Sequence, residues 1–433
     1  MADVAHYLYL TPMLFIWGIY FGLRNRRQRK VAVIRDEALK SGLTQPASLH
    51  PVINQSRCLG CRSCVSACPE KNVLGVIGNK SELVSPTNCI GHGACRTACP
   101  VGAITLVFGT SERGIDIPLV DPDFQTNVPG IFIAGELGGM GLIRNAIDQG
   151  SQAMAAIIKN CRKQDSPELD VVIVGAGPAG LAASLAAKQN NLNFVTLEQD
   201  SFGGTVAHFP RGKIVMTAPV TLPLIGKVKF REISKEALLE FWTDVIRKTG
   251  IHINYRERVE SITAADKGLE VQTPGSIYHA KCVLLAIGRR GTPRKLGVAG
   301  EDSSKVVYRL IDPEQYRARN VLVVGGGDSA LEAAISIAEQ PGTDVSLSYR
   351  SGAFSRAKEK NRIKIDAMKE SGDLNVFMNS TVSEIHEQKV ELDQQGTAVK
   401  LANDAVIVCA GGILPTPFLK ETGIQVETKY GTR

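Results

Sequence analysis

Seven of the ten cysteines fall between Cys58 and Cys99, and their spacing is regular. The first run, Cys58-Leu-Gly-Cys61-Arg-Ser-Cys64-Val-Ser-Ala-Cys68-Pro69, reads C-x2-C-x2-C-x3-C-P. Such clustering predicts a metal site rather than a disulfide framework spread along the chain. Spacers this short let one small loop wrap a compact cluster, whereas a structural zinc site needs only two pairs. The pattern recurs 31 residues on: Cys89, Cys95, Cys99 and Pro100 align with Cys58, Cys64, Cys68 and Pro69. Gly91 then matches Gly60 and Ala98 matches Ala67, while the slot equivalent to Cys61 holds His92. The repeat covers residues 51–108 and sets them apart as a small domain.

The first run resembles the bacterial two-cluster ferredoxins. The resemblance implies a crossover, in which three thiolates of one run share a cluster with the last thiolate of the other. One 4Fe–4S cluster would then take Cys58, Cys61, Cys64 and Cys99. The second would take Cys89, Cys95 and Cys68, with His92 in its fourth position. Three readings of His92 stay open: an imidazole ligand to a 4Fe–4S cluster, an uncoordinated side chain beside a 3Fe–4S cluster, and a loop histidine beside an empty site.

The chain of 433 residues has room for two to four domains. Its net charge of +7 is concentrated in one run, Arg24, Arg26, Arg27, Arg29 and Lys30, and the remainder is close to neutral, which argues against a nucleic-acid partner. Val4 to Leu23, just before that run, carries no charged side chain apart from a neutral His6. Twenty such residues make a helix of about 30 Å, enough to cross a bilayer core. Tyr7, Tyr9, Trp17, Tyr20 and Phe21 suit an interface, and Pro12 would kink the helix without forbidding it. The expectation is a single-pass anchor in the cell membrane, with the basic run holding the folded domains in the cytoplasm and the lipid bilayer as a partner. A cleaved signal peptide would need positive residues before the apolar stretch and a small-residue cleavage site after it, and this segment has neither.

Asp170-Val-Val-Ile-Val-Gly175-Ala-Gly177-Pro-Ala-Gly180 is an apolar strand running into G-x-G-x-x-G, followed by an Ala/Leu helix and a second strand ending at Glu198. Strand, glycine turn, helix and a following acid in that order predict a dinucleotide fold, with pyrophosphate at the helix N-terminus and the acid on a ribose. A second copy is Asn320-Val-Leu-Val-Val-Gly325-Gly-Gly327-Asp-Ser-Ala330, whose next strand ends at Tyr349-Arg350 instead of an acid. A cation there suits a 2′-phosphate. Arg350 and Arg356, with Lys358 and Lys360 nearby, therefore favour NADPH over NADH, against the alternative of a solvated basic loop.

Two such folds in one chain resemble the FAD/NAD(P)-dependent pyridine nucleotide oxidoreductases, and among them the thioredoxin-reductase-like enzymes, including the bacillithiol disulfide reductase type. The resemblance covers residues 112–433 and rests also on Leu285-Ala-Ile-Gly288-Arg-Arg-Gly-Thr-Pro293 and Ala410-Gly-Gly-Ile-Leu-Pro415-Thr-Pro, where that family's chain crosses to the NADPH domain and returns. It implies FAD on the first fingerprint and NADPH on the second. Thr126-Asn-Val-Pro129-Gly130-Ile-Phe-Ile-Ala-Gly135-Glu136 is similar to the family's late FAD motif, which normally follows the NADPH domain. Here it precedes the first fingerprint, so the FAD domain reads as circularly permuted. By the same resemblance, Gly135 and Glu136 (where the family has Asp) meet the FAD, the helix entered through Arg144, Asn145 and Ala146 aims at the flavin, and Gly204 and Thr205 lie on the flavin-contacting turn.

The family's dithiol is missing: Gly203-Gly-Thr-Val-Ala-His208 holds no cysteine, and neither does the stretch after Ala330 that precedes Cys409. Cys282 and Cys409 read as core residues of apolar strands, Cys161 as an incidental linker residue, and His208 as structural or flavin-facing. The expected fold class is α/β, with two Rossmann-like domains, an α+β ferredoxin domain and one transmembrane helix. The expected order is 1–30 anchor and basic run, 31–50 linker, 51–108 ferredoxin domain, 109–160 displaced FAD segment, 161–168 linker, 169–292 FAD-binding domain, 293–403 NAD(P)H-binding domain and 404–433 return segment. The expected function is an oxidoreductase passing electrons between NADPH and an unidentified acceptor (a membrane redox protein, a quinone or a small disulfide) through FAD and two iron–sulfur clusters, with a homodimer allowed. No catalytic side chain is expected beyond the groups that hold the cofactors. Direct reduction of low-molecular-weight disulfides at the flavin is one alternative. A redox sensor or electron-transfer subunit without its own turnover is the other.

Overall fold

The computed structural model describes residues 2–432 apart from 47–48, 71, 140, 161–168, 210, 217–218, 231, 266, 290 and 356, and describes no side chains for 2–11, 160, 216 and 292. Contacts divide the chain into two units. The first comprises Met1–Ser111, Ala353–Glu359 and Gly431–Arg433, and the second comprises Glu112–Gly352 and Lys360–Tyr430.

The first unit opens with α1 (Ala2–Lys40), a helix of 39 residues. The expected membrane-spanning segment over Val4–Leu23, and with it the single-pass placement in the cell membrane, is overturned: among the described residues no helix is long and apolar enough to cross a membrane. Arg24, Arg26, Arg27, Arg29 and Lys30 then follow without a break in the helix. Residues 31–40, read from sequence as linker, are helical and pack on the cysteine-bearing domain. Val31 occupies the space over Gly75, Arg35 pairs with Glu82 at 3.3 Å, and Ala38 is buried.

The 31-residue repeat is visible in the backbone. α2 (Ser63–Ala67) and α3 (Ala94–Thr97) each start after a left-handed residue, Arg62 and Gly93. β1 (His50–Ile53) pairs antiparallel with β4 (Ile104–Val107), and β2 (Leu74–Ile77) forms a hairpin with β3 (Lys80–Leu83). Between them lies a small core of Val73, Leu74 and Ile104 with Cys64, Cys89 and Cys95. Asn88 donates to the Glu359 carboxylate at 3.1 Å, fastening the 353–359 loop within this unit.

The second unit is mixed α/β. β7 (Leu169–Val174), β8 (Phe194–Glu198) and the strand Ile277–Leu285 run parallel. From Val171 to Val174 β7 is a continuous buried apolar run, as a strand covered on both faces should be. β5 (Ile115–Pro118) lies antiparallel to Val426–Lys429, so the region after the cysteine repeat is stitched to the end of the chain. β6 (Ile131–Ile133) joins the same sheet as β7, parallel to Ile277–Leu285. α4 (Ile143–Asn160) packs on α5 (Pro178–Gln189), with Ala153, Met154 and Ile157 buried against Ala179, Ala183, Ala186 and Ala187. Each large apolar side chain so buried contributes about 1.5–3 kcal/mol. α6 (Lys235–Thr249) covers a neighbouring core through Leu238, Trp242 and Val245.

The remainder of the second unit is a five-stranded sheet, in which Asn320–Val324 lies parallel between Asp344–Tyr349 and Ala405–Val408. α7 (Asp328–Ala338) and α8 (Glu359–Ser371) accompany it, followed by a separate three-stranded antiparallel sheet. The two crossings between this part and the α4–α5 part pair with each other, Thr292–Pro293 against Gly412–Ile413. α9 (Thr416–Glu421) closes the return segment.

Candidate functional site

In the first unit the cysteines sort into two cavities. One, of ≈ 320 Å³, is lined by Cys58, Cys61, Cys64 and Cys99 with Leu59, Ile53 and Val101. The other, of ≈ 350 Å³, is lined by Cys68, Cys89, Cys95 and His92 with Glu70 and His50. Cys99 belongs to the second run yet faces the first cavity, and Cys68 of the first run faces the second. A single tetrahedral zinc would hold its sulfurs about 3.8 Å apart. The one group of such donors within 4.8 Å of one another among the described residues is Glu384, His386 and Glu391, far along the chain. The sulfurs therefore fit a body larger than one ion. The three carboxylate–imidazole donors do not carry a site, because Lys389 and Lys400 already sit on Glu391.

The first cavity is equipped with sulfur-directed donors. Ser81 N–H and Gly60 N–H point at Cys58 Sγ at 3.3 and 3.4 Å, Ala103 N–H at Cys99 Sγ at 3.2 Å, and Ser81 Oγ lies 3.2 Å from Cys64 Sγ. Gly60 is required here: its φ is positive, and a Cβ would sit 2.1 Å from the carbonyl oxygen of Asn79. Hydrogen bonding with Ser63 draws the Cys61 thiol downward. In the second cavity burial raises Cys68 and Cys89, and pushes Cys95 up to about 11. Holding those three as thiolates needs a positive partner, as a metal cluster supplies. His92 stands exposed at the rim, where desolvation of its inner face lowers its pKa and favours the neutral imidazole that ligates metals.

In the second unit the first fingerprint forms a turn between β7 and α5. Gly175 has φ +104, and a Cβ there would meet the Ala286 carbonyl at 2.6 Å, so no other residue fits. Gly180 lets the helix close on the strand, while Gly177 faces only Gly204 Cα at 3.9 Å. That pair leaves an open, side-chain-free floor at the N-terminus of α5, where no side chain caps the helix. A pyrophosphate fits such a floor. Glu198 is buried and accepts Ala176 N–H at 2.8 Å and Asp200 N–H at 3.0 Å, which fixes the turn. Its two oxygens keep acceptor capacity for a ribose. Burial raises its pKa.

The segment 135–150 reaches this turn. Gly135 N–H bonds Gln149 at 2.9 Å, its missing Cβ faces Ala179 Cβ at 3.0 Å, and Gly150 of α4 rests on the Ala179 carbonyl. Glu136 follows Gly135 directly, and Ala146 is buried beside them. Asn145 is half-buried and Thr205 lies on the short 204–208 turn with Gly204. Arg144 is not drawn in: it is exposed and pairs with Asp148 at 3.8 Å.

The second fingerprint repeats the turn. Gly325 lies against the Cys409 carbonyl, Ala330 is buried in the first turn of α7, and Gly327 is open. Arg350 is exposed just beyond the strand Asp344–Tyr349. Arg356 and Cys161 lie outside the described residues. Several contacts were not legible from sequence. The Tyr349 ring covers Gly326, Lys213 bonds Glu332 of α7 at 2.8 Å, and Asn361 of α8 bonds Asp328 at 2.8 Å. His208 is held between Arg309, 2.9 Å from its Nδ1, and Asp200 at 3.3 Å, which is a structural role. Cys282 is buried as expected but is disulfide-bonded, and Cys409 is partly buried.

Residues 172–432 match the family described as pyridine nucleotide-disulphide oxidoreductase. The chain belongs to that family. Residues 50–100 of this pyridine nucleotide-disulphide oxidoreductase match the 4Fe-4S dicluster domain. A ferredoxin–NADP reductase of Ignicoccus hospitalis is 28% identical over 269 residues, 60% of this chain and 83% of that protein. Bacilliredoxin reductase of Bacillus subtilis is 24% identical over 267 residues, 60% of this chain and 82% of that protein. Among solved structures, the bacillithiol disulfide reductase of Bacillus cereus superposes with a TM-score of 0.54 at 24% identity, covering 60% of this chain and 82% of that one, and shows the fold. This family member is an FAD-dependent NAD(P)H oxidoreductase with an iron–sulfur domain.

Proposed function

We propose that this enzyme moves electrons between NADPH and an external acceptor, using one FAD and two iron–sulfur clusters. The observation that carries the reading is the sorting of eight side chains into two cavities, four cysteines in one and three cysteines with His92 in the other. When bound, flavin exchanges two electrons with a nicotinamide and one with an iron–sulfur cluster, which is the chemistry the two kinds of group supply together. The chain's own residues bind and orient. Cys58, Cys61, Cys64 and Cys99 hold a 4Fe–4S cluster, and Cys68, Cys89, Cys95 and His92 hold a second, with the imidazole as fourth ligand. Gly175, Gly177 and Gly180 receive the FAD pyrophosphate and Glu198 its ribose. Gly325, Gly327 and Ala330 receive NADPH.

The FAD domain is read as circularly permuted. Supporting this are β6 lying in the β7 sheet, α4 packing on α5, and β5 pairing with the end of the chain. The relatives are matched over about four fifths of their length, and the family match on this chain spans residues 172–432, with 112–158 outside it.

Two experiments test the reading. Anaerobic titration with NADPH should bleach the flavin bands and then the broad cluster absorbance. Flavin bleaching alone, with repeated turnover of bacillithiol disulfide, would select the disulfide reductase alternative. Arg350→Ala should raise KM for NADPH by at least about tenfold and leave NADH unchanged, since a charge-assisted hydrogen bond contributes about 1.5–3 kcal/mol. An equal loss with both nucleotides would remove Arg350 from the 2′-phosphate site.

A further inference from the structure

The basic run of α1 has no role in the reading above, and the two cavities differ in the charge around them. Cys61, a ligand of the first cavity, is itself exposed, and Leu59 beside it is 68% exposed. The second cavity also has one exposed member, His92, but it is lined by the acid Glu70, whereas no acid lines the first. From Asn54 to Pro69 the chain carries no acid, only Arg57 and Arg62, both exposed. Arg35 is neutralised by Asp36 and Glu82, whereas Arg57 and Arg62 form no ion pair among the described residues. The helix adds to this edge. Arg24 bonds the Asn79 side chain, and the Asn79 carbonyl lies directly against Gly60 between Leu59 and Cys61. Arg26, Arg27, Arg29 and Lys30, all exposed, follow Arg24 in the same helix.

We infer that this edge is the docking surface for an acidic, one-electron carrier protein. The inference rests on the function proposed above and names the class of its acceptor. An apolar knob with two unpaired arginines beside it in the same loop matches the anatomy of a transient interface, with Leu59 as contact and Arg57 and Arg62 at the rim. The cations steer a negatively charged partner and raise its association rate. The exposed ligand Cys61 brings the redox centre's edge to the contact. Each docking event transfers one electron to the carrier, and no bond forms or breaks. Two oxidised carriers are reduced per NADPH oxidised to NADP+, with one proton released.

The test uses the full-length holoenzyme and an acidic flavodoxin as probe. Calorimetric titration should show binding that weakens at least tenfold between low and high salt. Arg57→Glu with Arg62→Glu should weaken it at least tenfold at unchanged iron content. Arg26→Glu with Arg27→Glu, on α1 rather than in the cysteine loop, should weaken it too and guards against a folding defect in the first variant. Basic cytochrome c should bind less well than flavodoxin. Salt-independent binding, indifference of both variants, or retention on phosphatidylglycerol vesicles without flavodoxin binding would overturn the inference. Flavodoxin binding with the expected charge dependence, but without cluster bleaching by NADPH, would uphold the surface and refute the function it serves.

Discussion

The first cavity gathers four thiols, the second three thiols and an imidazole, although one 31-residue repeat builds both. The scaffold is shared down to the left-handed residue that starts each short helix. What differs is the fourth ligand and the surroundings. The first cavity has Ser81, Gly60 and Ala103 aimed at its sulfurs and one ligand at the surface. The second has Glu70 nearby and the His92 imidazole at its rim. Both hydrogen bonds to sulfur and the exchange of a thiolate for imidazole raise a cluster's potential, and the ligand exchange is the larger effect. The second cluster is therefore expected to have the higher potential, and duplication followed by a single ligand change is enough to make two unequal centres.

The largest expected effect comes from the crossover. Cys99→Ser should remove about four irons per protein and the signal of the first cavity, leaving the second intact. Loss of the second signal instead would mean that each run serves its own cluster. His92→Cys is the next in size. Iron content should stay constant and the potential of the second cluster should fall, because a negative ligand favours the oxidised state. A gain of one iron with loss of an oxidised-state EPR signal would identify a 3Fe–4S cluster in the wild type. No change in iron, EPR or potential would take His92 out of the site. The smallest effect belongs to Ser81→Ala, which removes the hydroxyl near Cys64 but keeps the backbone donor to Cys58. Redox titration should show a small fall in the first cluster's potential and none in the second's.

The residues that line the two cavities were legible as a spacing, while the crossing of Cys68 and Cys99 came from the resemblance to two-cluster ferredoxins. The dinucleotide turns were legible for the same reason: Gly175 cannot carry a side chain beneath the Ala286 carbonyl, and the residue type records that. The placement of residues 112–158 beside the first fingerprint was suggested by one phrase, and its physical basis, Gly150 against the Ala179 carbonyl, involves a helix glycine that belongs to no motif. Ser81 was invisible as a sulfur donor because it acts from a hairpin that only the fold brings to Cys58. The error at the N-terminus has a simple cause. Apolar length was counted from Val4 to Leu23 as though it stood alone, whereas the helix continues through five basic residues to Lys40 and packs on the hairpin at Gly75. Hydropathy reads one helix at a time, and the packing of its later turns is a tertiary fact.

The central claim is that two unlike clusters are reached by electrons from NADPH. EPR of the purified enzyme, as isolated and after anaerobic NADPH, tests it most directly. The account predicts two distinct reduced-cluster signals that appear at different NADPH equivalents, the second cavity's first. A single signal, or clusters that stay oxidised while the flavin is fully reduced, would contradict it.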